Sequence, residues 1–289
     1  MVQITKLFKP VVSMEADEAR DYMARHREGD YLLLDVRQPW EYEEAHIPGG
    51  KLLPLPELTN SYKTLDPEKP TIVHCAIGGR SRVAAQMLSG LGFKEVYNLA
   101  GGIKAYQGQK AAGPQELNLD LVRGDETPTE ITSLACGLER ALQLFYETML
   151  GRTRDTELKD LFVQLAQAEV HHRQRLRELY QQLEPAGQEA AVCSDSATSE
   201  TMEGGFNLKE FLAANEAHLD TAPHVLDLAM MLETQALDLY LRLADRCGSP
   251  TTKTILFAIA DEEKLHLVRL GRLLEEKSTA KGMFACQLP

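Results

Sequence analysis

Residues 70–92 read "PTIVHCAIGGRSRVAAQMLSGLG". A short apolar run, rich in isoleucine and valine, gives way to a glycine pair and then to an amphipathic segment that Gly90 or Gly92 can stop. Such a run bounded by turn residues predicts a buried strand, and the segment after it predicts a helix. The junction is a natural anion site, because free backbone N–H groups and the positive end of the helix dipole point into the loop. A thiol placed there favours its thiolate, so the pKa of Cys75 should fall below the free value of about 8.5. Gly78 and Gly79 let the backbone curl around whatever the sulfur carries. Two chemistries use such a loop, one on sulfur and one on phosphate, and a buried structural cysteine is the bland reading of the same residues.

The alternation of strand and helix extends outward from this stretch. "DYLLLDV" (30–36) and "KEVYNLAGG" (94–102) read as further strands, and "MEADEARDYMARH" (14–26) as a helix. Together they predict an α/β domain over 1–112, built on a parallel sheet covered on both faces. From 113 to 127, "GPQELNLDLVRGDET" has proline, glycine and charge but no sustained period, which predicts a linker. Beyond it, four apolar stripes recur at helical spacing and predict an all-α four-helix bundle over 128–280. A long connection over 184–222, with a short helical "NLKEFLAANE", separates the second stripe from the third, so the topology need not be simple up-and-down.

Composition narrows the function. The 289 residues carry 31 basic and 43 acidic side chains, a net charge of −12 with histidine neutral. That balance argues against nucleic acid or an anionic membrane as partner. No apolar run approaches the ~20 residues needed to span a bilayer. The first residues show no secretory signal, and the cytoplasm is the expected compartment. The five cysteines are widely spaced with no CxxC pair, which supports neither a zinc knuckle nor a disulfide framework.

The α/β half resembles a single rhodanese domain over residues 13–110. The matching pieces are Asp35-Val36-Arg37, Trp40-Glu41-Tyr42, His46-Ile47-Pro48-Gly49, the loop Cys75 to Arg80, and Gly101-Gly102. The loop has six residues, the length of sulfurtransferases; the related phosphatases carry one more. The resemblance implies that Cys75 takes a sulfane sulfur from a small-molecule donor, holds it as a persulfide and passes it to a thiol acceptor. It implies that the N–H groups of Ala76, Ile77, Gly78, Gly79 and Arg80 stabilise the transferred sulfur, with Arg80 holding the loop or drawing in an anionic donor. The neutral Ala76 and Ile77 leave a thiosulfate-like donor open. Asp35, Arg37 and His46 are expected to be structural.

The helical half contains an internal repeat. One displacement of 94 residues relates Glu139 to Glu233, Tyr146 to Tyr240, Glu169 to Glu263 and His172 to His266. Glutamate and histidine at i and i+3 share a helix face, and all four glutamates fall on apolar stripes. Carboxylates crowded inside a bundle repel one another, and two divalent cations would cancel them. The neighbouring His171 and the glutamates Glu147, Glu262, Glu275 and Glu276 are expected in solvent.

This pattern resembles ferritin-like proteins, closest to the rubrerythrin branch, over roughly residues 128–277. The ligand arrangement of that fold is one Glu from each of two helices and Glu-x-x-His from each of the other two. By resemblance, Glu169 and Glu263 bridge two iron or manganese ions, Glu139 and Glu233 cap them, and His172 and His266 each ligate one. Tyr146 and Tyr240 are candidate hydrogen-bond partners of those ligands. A homodimer is expected from the family. Two departures stand out: there is no rubredoxin segment, and Met230 replaces a glutamate that rubrerythrins carry. The leading reading is a sulfurtransferase fused to a di-iron redox domain in sulfur or oxidative-stress metabolism. Its alternative is a non-catalytic sulfur-relay or sensing module with an iron-storing bundle.

Overall fold

The computed structural model describes residues 9–121, 123, 125–183, 201–202, 206–215, 219 and 221–285. The chain divides into two compact units, one ending at Leu117 and the other beginning at Asn118.

The first unit is built on five parallel strands, in the spatial order β1 (Val12–Met14), β5 (Val96–Leu99), β4 (Thr71–His74), β2 (Leu32–Asp35) and β3 (Lys51–Leu52). Helices α1 (Ala16–Arg25), α2 (Pro39–Glu44), α3 (Leu58–Ser61), α4 (Gly79–Gly90) and α5 (Gly102–Ala105) lie between and after the strands. β4 is central, and all four of its residues are buried, which is why its sequence is apolar without alternation. Successive side chains nevertheless part to opposite faces. Leu33 and Ile72 pack with Ala19 and Met23 of α1, while Leu34 and Val73 pack with Ala84, Ala85 and Leu88 of α4. Each such leucine or isoleucine contributes roughly 1.5–3 kcal/mol through burial.

Three features do not follow from sequence pattern. β1 and β3 have three and two residues, too few to display a period. α2 has Tyr42 as its single buried residue and is set instead by a capping box between Gln38 and Glu41, with Pro39 in its first turn. The stop of α4 is Gly92 rather than Gly90: the helix runs through Gly90, and Gly92 turns away with φ +104°.

The second unit contains α6 (Pro128–Arg152), α7 (Thr156–Leu183), α8 (Leu208–Asn215), α9 (Ala222–Arg246) and α10 (Pro250–Ala285). α6 opens on Thr127, whose hydroxyl accepts from the Glu130 N–H while the Glu130 carboxylate accepts from the Thr127 N–H. α6 packs chiefly on α7, and α9 chiefly on α10, so the unit consists of two helical hairpins laid together. Two apolar clusters fill it. One includes Leu142, Phe145, Leu165, Leu226 and Leu232; the other includes Leu138, Leu176, Leu239, Leu256 and Ile259. On every long helix the sequence passes from one cluster to the other across a short polar gap. Cys136 is disulfide-bonded.

The backbone behind Cys75 depends on one glycine. Gly102 has φ +59°, and a Cβ there would lie 2.3 Å from the Cys75 carbonyl oxygen and 2.7 Å from Ile77 N. Gly102→Ala is therefore expected to destabilise the first unit by about 2 kcal/mol or more. Urea unfolding followed by the fluorescence of Trp40, the chain's single tryptophan, should show a lower midpoint; an unchanged midpoint would show that the loop has room to give.

Candidate functional site

Cys75 stands at the C-terminal end of the central strand and is 1% exposed. Ligands of open parallel sheets collect at this end. Two carbonyls of the loop are engaged from outside: Ile103 N–H donates to Cys75 O at 2.8 Å, and Lys104 N–H donates to Ala76 O at 3.1 Å. With its carbonyls turned outward, the loop directs amides inward. Gly78 N–H donates to Cys75 Sγ at 3.1 Å, helped by a positive φ of +92° at Gly78. Burial pushes the Cys75 thiol up, but the Ser81 hydroxyl and the amides of Ser81, Ile77 and Gly78 outweigh it, so the pKa is lowered.

Arg80 turns to Glu41 of α2, donating from Nη1 and Nη2 to the two carboxylate oxygens at 2.6 Å each. This two-pronged pair fastens the loop to α2, and its hydrogen bonds hold the Glu41 carboxyl down to about 2. Ala76 and Ile77 add no charge, and Ile77 is 67% exposed at the rim. Asp35 and Arg37 form a buried ion pair at 2.7 Å, and Arg37 also donates to Ala45 O. His46 stacks on Tyr42 with ring centroids 3.7 Å apart. These three side chains brace the sheet and α2.

In the second unit, the polar gap between the two apolar clusters is occupied by the repeated residues. Glu139 comes from α6, Glu169 and His172 from α7, Glu233 from α9, and Glu263 and His266 from α10, all buried. They form two triads, Glu139–Glu169–His172 and Glu233–Glu263–His266, within each of which the ligand atoms lie inside 4.8 Å of one another. His172 Nδ1 is 3.2 Å from Glu139 Oε2 and 3.1 Å from Glu169 Oε2. His266 Nδ1 is 3.5 Å from Glu233 Oε2 and 3.2 Å from Glu263 Oε2. The two imidazoles stack, with centroids 3.1 Å apart and planes at 7°, so the triads make one cluster.

The chemistry of this donor set suits metal cations. Burial pushes the Glu139 carboxyl up to about 8, and Glu169 is raised for the same reason. Burial alone would lower His172, but the carboxylates of Glu139 and Glu169 drive it up to about 12. Burial would raise Glu233 as well, but its hydrogen bonds with His266 and Glu263 hold it down to about 2. The cluster thus mixes protonated and ionised carboxylates, and divalent cations would take the place of its protons. His266 Nε2, also buried, has no hydrogen-bond partner among the described residues. Among those residues, no third cluster of this kind occurs.

Tyr146 and Tyr240 are both buried, Tyr146 against Phe145 and Phe162. His171 is exposed, as are Glu147, Glu275 and Glu276, whereas Glu262 is half-buried and bonds to Arg175 at 3.1 Å. Met230 lies in the apolar cluster. The repeat breaks one turn beyond its ligands, where buried Arg173 donates to Gln143 at 2.7 Å; the corresponding positions are Leu267 and Leu237. Two residues outside the matching pieces bear on Cys75: Ser81, 3.4 Å from its sulfur, and Asn98, which Ser81 meets at 2.7 Å. Asn98 alone carries a signal, since it is a polar side chain inside an apolar strand.

The comparisons with known proteins fall on the same two regions. The rhodanese-like domain family matches residues 18–109, and the rubrerythrin family matches residues 130–274, half of the chain. The chain is 40% identical over 114 residues to rhodanese-like/PpiC domain-containing protein 12, chloroplastic, of Arabidopsis thaliana, covering 37% of this chain and 37% of that protein. It thus spans little more than a third of that relative's length. It is 36% identical over 101 residues to the thiosulfate sulfurtransferase GlpE of Coxiella burnetii, covering 35% of this chain and 89% of the relative. A crystal structure of a rhodanese-like domain protein from Staphylococcus aureus aligns at 23% identity with a TM-score of 0.32, over 34% of this chain and 94% of that one. No helix among the described residues is long and apolar enough to cross a membrane. The chain belongs to the rhodanese-like and rubrerythrin families, with one domain of each in a single polypeptide.

Proposed function

We propose that the first domain is a sulfurtransferase that works through a persulfide on Cys75, and that the second is a di-iron carboxylate redox domain. The proposed limits are 1–112 and 128–280, joined by 113–127. The observation that carries the first half is the Cys75 sulfur, buried at the end of β4 and met by the Gly78 amide at 3.1 Å.

In this reading the Cys75 thiolate attacks the outer sulfur of a sulfane donor. A bond forms from Sγ to that sulfur while the donor's own sulfur–sulfur bond breaks, and the leaving group departs with the electron pair. The charge then rests on the outer sulfur of the persulfide, where the loop amides from Ala76 to Arg80 stabilise it. A thiol acceptor, as its thiolate, attacks the outer sulfur and restores Cys75. Arg80 keeps the loop in shape through Glu41.

In the second domain Glu139, Glu169, His172, Glu233, Glu263 and His266 would hold two iron ions. Such ions, when bound, supply one-electron redox chemistry. The protein's own contribution is a buried polar layer between two apolar clusters, with Tyr146 and Tyr240 proposed as partners that orient the ligands. A persulfide-bearing cysteine and a redox metal centre carried by one chain suit sulfane-sulfur or oxidative-stress metabolism.

Two outcomes are expected. With thiosulfate or an organic persulfide as donor and cyanide as acceptor, the wild-type protein should release thiocyanate and Cys75→Ser should not. Equal inertness of both proteins toward several donors would leave only a non-catalytic module. Elemental analysis of protein purified without added metal should give about two iron ions per chain. The double variant Glu169→Ala with Glu263→Ala should lose them, and its bundle should melt at lower temperature than the loaded wild type; undiminished metal content would remove these six residues from consideration.

A further inference from the structure

Behind Cys75 the structure holds a line of polar side chains that leads to the surface. Ser81 Oγ lies 3.4 Å from Cys75 Sγ and 2.7 Å from Asn98 Oδ1. Asn98 Nδ2 donates to Ser13 Oγ at 3.2 Å. Ser81 and Asn98 are fully buried, while Ser13 is exposed on β1 and lines a cleft with Tyr22 and Tyr97.

Ser81 has one hydroxyl proton and two acceptors facing it. The line of bonds can be completed in two ways. When Cys75 is a thiol, its S–H donates to Ser81 Oγ, Ser81 donates to Asn98 Oδ1, and Asn98 Nδ2 donates to Ser13. When Cys75 is a thiolate, the Ser81 proton joins the Gly78 amide and the Arg80 guanidinium in facing it. Asn98 must then present its NH₂ to Ser81 and its carbonyl to the Ser13 hydroxyl, which takes a half-turn of the amide. A side-chain amide carries a donor and an acceptor in one plane and can serve both arrangements.

We propose that Asn98 is a positioning residue for Cys75, whose amide turns to release the Ser81 hydroxyl to the sulfur as the thiolate forms. The proposal rests on Cys75 being the reactive group of this domain. No proton travels along the line. The thiol proton leaves through the mouth of the loop to solvent, and only the direction of each hydrogen bond reverses.

The test is the pH dependence of Cys75 alkylation by iodoacetamide in the full chain, read by mass spectrometry of the peptide that carries it. Asn98→Asp offers an ionised carboxylate that accepts and cannot donate. It should hold the Ser81 proton away from sulfur and raise the midpoint by about one pH unit or more, a roughly tenfold smaller ionisation constant. Asn98→Ala removes the competitor for that proton and should stay within about half a unit of wild type. Ser81→Ala should raise the midpoint, and Ser81→Thr should restore it. A new carboxylate also raises the midpoint by repulsion alone, so the shift from Asn98→Asp should be mostly lost when Ser81→Ala is added; a shift of the same size in that double variant overturns the proposal. An unmoved midpoint in Asn98→Asp, or an equal shift in Asn98→Ala, overturns the proposal. Should Asn98→Asp not fold, an unmoved midpoint in Ser81→Ala overturns it instead. Because alkylation needs no sulfur donor, a protein that shows these shifts yet transfers no sulfur would keep this proposal and lose the sulfurtransferase reading.

Discussion

Negative charge taken out of water must be met by something close at hand, since an isolated buried anion is among the most expensive groups a fold can hold. Both halves of this chain are arranged around that constraint, and they meet it with different materials. In the first domain the group is a single sulfur, met by the Gly78 amide, the Ser81 hydroxyl and the Arg80 guanidinium. In the second it is a set of carboxylates, with one imidazole set against two of them in each triad. Four carboxylates in one layer call for cations.

The fold supplies each answer through elements that are not themselves reactive. α5 exists in the first domain for four residues only, yet its N–H groups hold the outward carbonyls of Cys75 and Ala76 and so decide which way the loop faces. Gly102 lets it come that close. Glu41 does for the far side of the loop what α5 does for the near side, through the Arg80 fork. In the bundle the same work falls to leucine and phenylalanine, because the apolar clusters on either side fix where the polar layer can lie.

What is legible in the amino-acid order is whatever repeats or sits in a local pattern. Leu32–Asp35 and Thr71–His74 announce themselves as apolar runs bounded by turn residues, the four long helices by period, and the four glutamates and two histidines of the bundle by a shared displacement. What is not legible depends on partners far along the chain. Ser81 meets Asn98 across 17 residues, and Asn98 meets Ser13 across 85. Arg80 meets Glu41 across 39. The three residues of β1 become a strand only because β5 lies beside them. The failure of the repeat at Arg173 and Gln143 is equally silent in the text, since nothing local marks those side chains as buried.

The way the bundle is divided gives its centre a mechanical meaning as well. Each hairpin, α6 with α7 and α9 with α10, packs most closely within itself, and the two share the apolar clusters on either side of the polar layer. Each contributes one glutamate–glutamate–histidine triad, and the triads touch where His172 lies flat on His266. The polar layer therefore lies on the seam between the hairpins, with shared leucines and phenylalanines above and below it. A change of side-chain volume in either cluster shifts one hairpin against the other, and with it the spacing of the two triads.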